Sequence, residues 1–313
     1  MSEQTSATLA ARGADAADWD KGSTAGSKRR RGPGWVRSLL ASRVGMAGFL
    51  IVGIVLFVAV FGPWISPHDP LQHNLRSRFL PPGATDARGI YLLGTDQLGR
   101  DILSRIIAGT RISVLIGVFS VVIAGVVGVV YGLIAGYFGG RIDDALMRFA
   151  DAFLAIPFIV LVVAAAGVLG AGLVTLILIL GLTRWVIYAR VTRAETLAVR
   201  ETDYVMAARA LGQTSLGIIT KHILPNVFGS ILVIATLMVA TSVLAESALS
   251  FLGLGVQSPS ITWGLMLADG RQYIGSAWWM TTFPGIAITV TVLGTVFIGD
   301  WLRDVLDPRL RGR

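Results

Sequence analysis

Residues 112–135 read ISVLIGVFSVVIAGVVGVVYGLIA, a run without a charged side chain. As a helix rising about 1.5 Å per residue, such a run covers the roughly 30 Å hydrocarbon core of a bilayer. Five more apolar runs lie around it, near 44–65, 152–170, 172–188, 227–249 and 283–299, of which 152–170, 172–188 and 283–299 are at the short end. The pattern predicts an all-α polytopic membrane protein with six transmembrane helices, its boundaries set only to within several residues. Composition agrees: 54% of the 313 residues are hydrophobic, 15% are charged and the mean hydropathy is +0.69. Soluble domains carry about 25% charged residues, so an ordinary cytosolic enzyme is excluded.

The net charge of +8 raises nucleic acid as a partner, but the basic residues collect in the loops and form no face interleaved with aromatics. Nucleic acid is set aside. Residues 1–34 are rich in Ala, Gly, Ser and Asp and end in Lys28–Arg31. They read as a disordered tail whose charges meet anionic headgroups, not as a secretory signal. Six spans place both termini on one side. With that side inside, the cytoplasmic segments hold 20 of the 27 Lys and Arg, including Arg184 near the end of the fourth run and Arg190, Arg193, Arg200, Arg209 and Lys221 between the fourth and fifth runs. Six of the seven outside sit in one long loop, 66–111. By the positive-inside rule both termini are cytoplasmic. No cysteine is present, which removes disulfides, thiolate zinc sites and cysteine nucleophiles. No internal repeat is found, which weakens an inverted-repeat carrier.

Gly128, Gly132, Gly136 and Gly140 follow one another at intervals of four, which puts them on one face of the second span. Lacking side chains, they admit close approach of another helix, in this chain or another. Between the fourth and fifth runs, residues 190–226 are too long for a turn. Thr202 and Asp203 are suited to cap a short helix, Tyr204–Leu211, with Ala207, Ala208 and Ala210 presenting little bulk and Gly212 supplying a left-handed residue. A second segment, Thr214–Leu224, sets Leu216, Ile219, Ile223 and Leu224 against Thr220, Lys221 and His222, with Pro225 and Asn226 stopping it at the membrane. Physics alone leaves two readings open: a rigid cytoplasmic knob for a groove on a soluble partner, or a re-entrant hairpin packed on its own bundle.

At these residues the sequence resembles a known family. Tyr204-Val-Met-Ala-Ala-Arg-Ala-Leu-Gly212, followed by His222-Ile-Leu-Pro-Asn226, is similar to the cytoplasmic loop motif of ABC importer permeases, with Met206 where the general motif has Glu and His222 where it has Ile. Leu93-Gly-Thr-Asp-Gln-Leu-Gly-Arg-Asp101, Leu249-Ser-Phe-Leu-Gly-Leu-Gly255 with Trp263-Gly264, and Gly299 to Arg311 resemble the dipeptide/oligopeptide branch, second or C-type subunit. The resemblance runs over about 35–313. It implies half of a heterodimeric pore in the cell membrane, a second permease chain, two ATP-binding subunits below and an extracellular solute-binding protein above. ATP and Mg would sit on the partner subunits, with no cofactor on this chain. It also implies that Tyr204, Ala207, Ala208, Arg209, Gly212, His222, Leu224 and Pro225 couple the chain to the ATPase.

The residues agree that ATP is not hydrolysed here. A phosphate-binding loop needs Gly before Lys, and the three lysines follow Asp20, Ser27 and Thr220. G-x-S-x-G and H-E-x-x-H are also absent. His68, Asp69 and His73, between prolines, read as a turn and not as a metal site. Asp96–Thr110 reads as an amphipathic helix on the outer interface, either a simple lead-in to the second span or a docking surface, with Arg100 and Asp101 as an ion pair. Glu246 is the only acid well inside an apolar run and has two open roles, a structural hydrogen-bonded group or a translocation-path gate. Asp269 and Arg271 are weaker docking candidates, and Trp278, Trp279 and Trp301 read as interface anchors.

The expectation is therefore a peptide-importer permease. Nickel chelate, glutathione or another small solute is the alternative cargo. From different classes, an ion-coupled secondary carrier would need paired intramembrane ionisable groups, and a purely structural protein leaves the 190–226 motif without purpose.

Overall fold

Ser42 opens the first helix, α1 (Arg43–Ile65), its hydroxyl accepting the Gly45 N–H at 3.1 Å. The structure, a computed structural model, describes residue 39 and residues 42–170 and 172–306. The expected 1–34 tail and the end of the Gly299–Arg311 motif lie outside them. After α1 a loop carries a small antiparallel hairpin, β1 (Ala84–Asp86) on β2 (Gly89–Tyr91), and leads to α2 (Ile102–Phe138). Asp101 caps α2, accepting from the Ser104 N–H at 2.9 Å and the Ser104 hydroxyl at 2.5 Å.

The predicted interfacial helix over 96–110 is thus not separate. Its helical part forms the first turns of one continuous helix, with Ile102 buried under the loop instead of facing lipid.

Gly139, at φ +64°, ends α2 and turns the chain into α3 (Gly140–Leu154). An 81° bend separates α3 from α4 (Phe158–Leu169). Pro157 sits at the N-cap of α4; it lacks an N–H and disfavours helix at Ile156. The 152–170 run is therefore broken: α4 has 12 residues, about 18 Å, too short to cross alone. The charged face of α3 is tied back to α5 (Leu173–Arg200) by Arg193–Asp143 at 2.5 Å and Arg190–Asp151 at 2.6 Å.

Beyond α5 come α6 (Asp203–Ala210), α7 (Ser215–Ile218), one wide π-type turn (Ile219–Ile223), α8 (Leu224–Phe251), α9 (Trp263–Gly270) and α10 (Trp279–Leu306). Among the described residues, five helical stretches are long and apolar enough to cross a membrane, and the bent pair α3–α4 makes a sixth crossing if it counts as one.

The glycine stripe finds its partner within the chain. A Cβ on Gly132 would come 2.5 Å from the Ala189 carbonyl and one on Gly136 2.7 Å from Thr196 Cβ, while one on Gly128 would collide with the Trp185 carbonyl, so α2 and α5 touch backbone to backbone. Gly140 does not share this face: it lies past the Gly139 break, at φ +53°, with open space around it. Small residues recur elsewhere. Gly45 and Gly48 of α1 lie against Trp301 and Phe297 of α10. That placement corrects the anchor reading of the tryptophans. Trp301 is packed inside, and Trp279 is buried with its indole N–H donating to the Thr95 carbonyl at 3.0 Å; of the three only Trp278 stands exposed.

Candidate functional site

Two ends of the bundle carry the candidate residues. The knob end is built by α6, α7 and the wide turn. Thr202 does not cap α6 with its side chain as expected; its hydroxyl instead donates to the Val199 carbonyl at 2.6 Å, closing the end of α5, and Asp203 supplies the acid in the first turn. Arg200 reaches over to α2, donating to the Gly136 carbonyl at 2.9 Å and the Tyr137 carbonyl at 3.3 Å, where that helix has run out of its own donors. Gly212, at φ +77°, lets the chain reverse, and Gln213 Oε1 meets His222 Nε2 at 2.9 Å across the reversal. Val205, Ile218, Ile223 and Val227 are wholly buried against Leu133 and Tyr137 of α2, with Ala208 and Leu224 beside them.

Pro225 does not stop the segment. The Leu224 N–H bonds back to Ile219 through the widened turn, so proline enters at the start of α8, and Asn226 Nδ2 donates to the His222 carbonyl at 2.6 Å. Helix continues from the knob into the span.

Packing on the chain's own bundle therefore describes one face of this segment. The other face is exposed, with Ala207, Arg209 and Ala210 between Tyr204, Met206 and Leu211, the last 88% exposed, and Leu216 exposed as well. Of the predicted coupling residues, Tyr204, Ala207, Arg209, Gly212 and Pro225 are on the exposed side. Ala208 and Leu224 are half-buried anchors, and His222 is stitched to Gln213. The Arg209 guanidinium lies 5.5 Å from the Tyr137 ring centre.

The opposite end, the loop end, holds an ion cluster that the sequence did not reveal. Arg100 pairs with Asp96 at 2.6 Å, not with the capping Asp101, and lies 3.5 Å from Asp269 on α9. Arg105 lies 3.3 Å from Asp96 and 3.4 Å from Asp269, with its side chain 3% exposed. Burial pushes the Asp269 carboxyl above its usual range against the pull of Arg105 and Arg100. Asp269 thus belongs to this cluster, while Arg271 lies over the Phe251 ring. His68 stacks on Tyr91 and faces Asp101 at 3.5 Å.

Glu246 of α8 is fully buried. Its carboxylate accepts from the Ser250 hydroxyl at 2.8 Å and the Ser247 hydroxyl at 3.3 Å. Arg184, assigned by position to an inner loop, lies inside α5, where its guanidinium donates to Thr241 of α8. The residues after it, Trp185–Ala189, are nearly all apolar, and that was the available signal.

A family model described as "Binding-protein-dependent transport system inner membrane component" matches residues 128–312, and one described as "N-terminal TM domain of oligopeptide transport permease C" matches 35–82. The dipeptide transport system permease protein DppC of Bacillus subtilis (strain 168) is 41% identical over 276 residues, 88% of this chain and 85% of that protein. The oligopeptide transport system permease protein OppC of the same organism is 39% identical over 271 residues, 87% of each. Among solved structures, the MetNI methionine ABC transporter in an inward-facing conformation aligns with a TM-score of 0.54 at 20% identity, covering 65% of this chain and 96% of that chain, a likeness of fold. The chain belongs to the binding-protein-dependent ABC transport permeases. It is a multi-pass membrane subunit of an importer, of the pore-forming and not the ATP-binding kind.

Proposed function

We propose that this permease forms one half of a pore for dipeptides or oligopeptides in a bacterial plasma membrane. It would pair with a second permease chain, with two ATP-binding subunits on the knob and a solute-binding protein at the loop end. The peptide cargo is supported by the relatives, named for dipeptide, di/tripeptide and oligopeptide transport. The knob then faces the cytoplasm, with both termini. With Arg184 removed from the inner count, the basic residues still stand 19 inside to 7 outside.

The observation that carries this reading is the two-faced knob. Its buried face, Val205 with Ile218 and Ile223, is rooted on α2, so a force on α6 passes to α2 and α5 through packed side chains instead of being lost in a loop. Its exposed face offers Ala207 and Ala210 as a flat strip between apolar flanks, a shape suited to a groove. ATP and Mg belong to the partner subunits, whose closure would push α6 and move the spans between inward-open and outward-open states. Continuity of α7 into α8 through the widened turn gives that push a second lever. Glu246 takes the structural role, its carboxylate closed in by Ser250 and Ser247 of its own helix.

The test is Ala207→Glu in the full assembly. Transport should fall to background while the membrane level of the chain stays unchanged, and ATP hydrolysis should no longer respond to loaded binding protein. Normal transport by this variant would remove α6 as the docking helix.

A further inference from the structure

Arg184 lies eleven residues beyond Leu173, the first residue of α5, or about 16 Å along the axis. Its partner Thr241 lies ten residues before Phe251, the last of α8, or about 15 Å. Two helices running in opposite directions thus place the guanidinium at one depth, near the middle of a core about 30 Å thick. Nη1 donates to Thr241 Oγ1 at 2.6 Å and Nη2 to the Thr241 carbonyl at 3.3 Å. Both partners are neutral.

Among the described residues no acid answers this charge. The carboxylates on α5 and α8 are engaged elsewhere: Glu195 with Ser230, and Glu246 with Ser250 and Ser247. Two of the three on α3 are too, with Asp143 on Arg193 and Asp151 on Arg190. Along α8, Leu237, Thr241, Leu244 and Ala248 recur at three and four residues and are all exposed, so the guanidinium sits in an uncovered apolar strip. An intramembrane arginine facing lipid at this depth is too far from either interface to snorkel, so such residues face a bundle interior or an aqueous path. In a half-pore, the uncovered strip is then a wall of the path.

A guanidinium is a planar fork that matches a carboxylate with two parallel hydrogen bonds, and neutral threonine oxygens leave its charge unspent. We propose that Arg184, held in place by Thr241, binds the free carboxylate of a peptide at mid-depth during passage, with Leu237 and Leu244 against its apolar parts. This rests on the peptide-permease reading above.

The chain has no cysteine, so an introduced thiol is the only one on it, and the unaltered assembly treated with the same reagents controls for thiols on the partner chains. The full assembly carrying Arg184→Cys is placed in vesicles, and import is measured for a dipeptide with a free C-terminus and for its C-terminal amide, each scaled by its separately measured affinity for the binding protein. The substitution should lower free-acid import about tenfold relative to the amide. Treating the assembled variant with a thiol reagent that adds an aminoethyl cation should restore free-acid import, while a sulfonatoethyl anion should not.

Retention of the ATP-binding subunits checks that the variant is assembled. A thiol that neither reagent reaches overturns the proposal, because the position then faces lipid or protein. Equal losses for acid and amide also overturn it, and point to a carboxylate on the second permease chain as the partner. If the unaltered assembly imports neither peptide, the peptide-permease reading itself falls and this inference with it.

Discussion

At the loop end four charged side chains, from segments as far apart as Asp96 and Asp269, are packed against one another and ion-paired within the chain. At the knob end Tyr204, Met206, Leu211 and Leu216 are exposed. Hydrophobic side chains belong in the core and charged ones outside, and each end reverses that rule in its own way. The reversal at the loop end is internal: α2, α9 and the 66–101 loop are riveted together, and this surface keeps its shape without help. At the knob end it is outward, an apolar patch beyond the spans that calls for a partner's surface. Rigidity is placed at one end and incompleteness at the other.

The contrast is broken most severely by removing one member of the rivet. Arg105→Met leaves the buried Asp96 and the half-buried Asp269 facing the single guanidinium of Arg100, and breaking a buried ion pair on one side costs about 3–5 kcal/mol. Thermal unfolding of the purified chain should show that loss, and Arg105→Met combined with Asp269→Leu should recover part of it, because no unpaired charge then remains. If the single variant unfolds like the unaltered chain, the cluster is not holding the loop end together.

A smaller effect is expected at the seam between the two ends. Gly132→Ala puts a methyl group 2.5 Å from the Ala189 carbonyl, and overpacking of this kind costs about 1–3 kcal/mol. Because Leu133 and Tyr137 of the same helix support Val205, the shift should reach the knob before the ion cluster. Limited proteolysis would then cut near Gly212 while leaving the 66–101 loop intact. Equal cleavage at both ends would mean that α2 moves as a rigid rod and that the ends are not separable.

What the sequence disclosed follows from the range of each interaction. Long apolar runs and glycines at intervals of four are local, so the spans and the α2–α5 stripe were legible, as was the Gly212 reversal. The 152–170 run looked like a span because its apolar residues are continuous; Pro157 breaks it by removing a donor and bending the chain. The ion cluster joins residues 164 positions apart, and no periodicity announces such a pair. Arg100 therefore appeared to belong to its neighbour Asp101, which the structure uses as a helix cap. Arg184 was misplaced because a basic residue near the end of an apolar run looks like the start of a loop, whereas α5 continues to Arg200.

The comparison is sharpened most by its smallest expected effect. Val205 and Leu211 are both apolar residues of the knob, six positions apart, yet Val205 is wholly buried and Leu211 is 88% exposed. Val205→Ser exchanges buried hydrocarbon for a hydroxyl among Leu133, Ile218 and Ile223, with a loss of about 1–3 kcal/mol in unfolding free energy. Leu211→Ser removes hydrocarbon already in water, so its effect on the chain alone should stay within about 0.5 kcal/mol. In the assembly the order should reverse, with Leu211→Ser loosening the ATP-binding subunits from an otherwise stable permease. Retention of those subunits on washed membranes, measured beside the unfolding midpoint of each variant, separates the two roles. If Leu211→Ser leaves both unchanged, the exposed flank of α6 is bare surface, and docking narrows to the strip at Ala207 and Ala210.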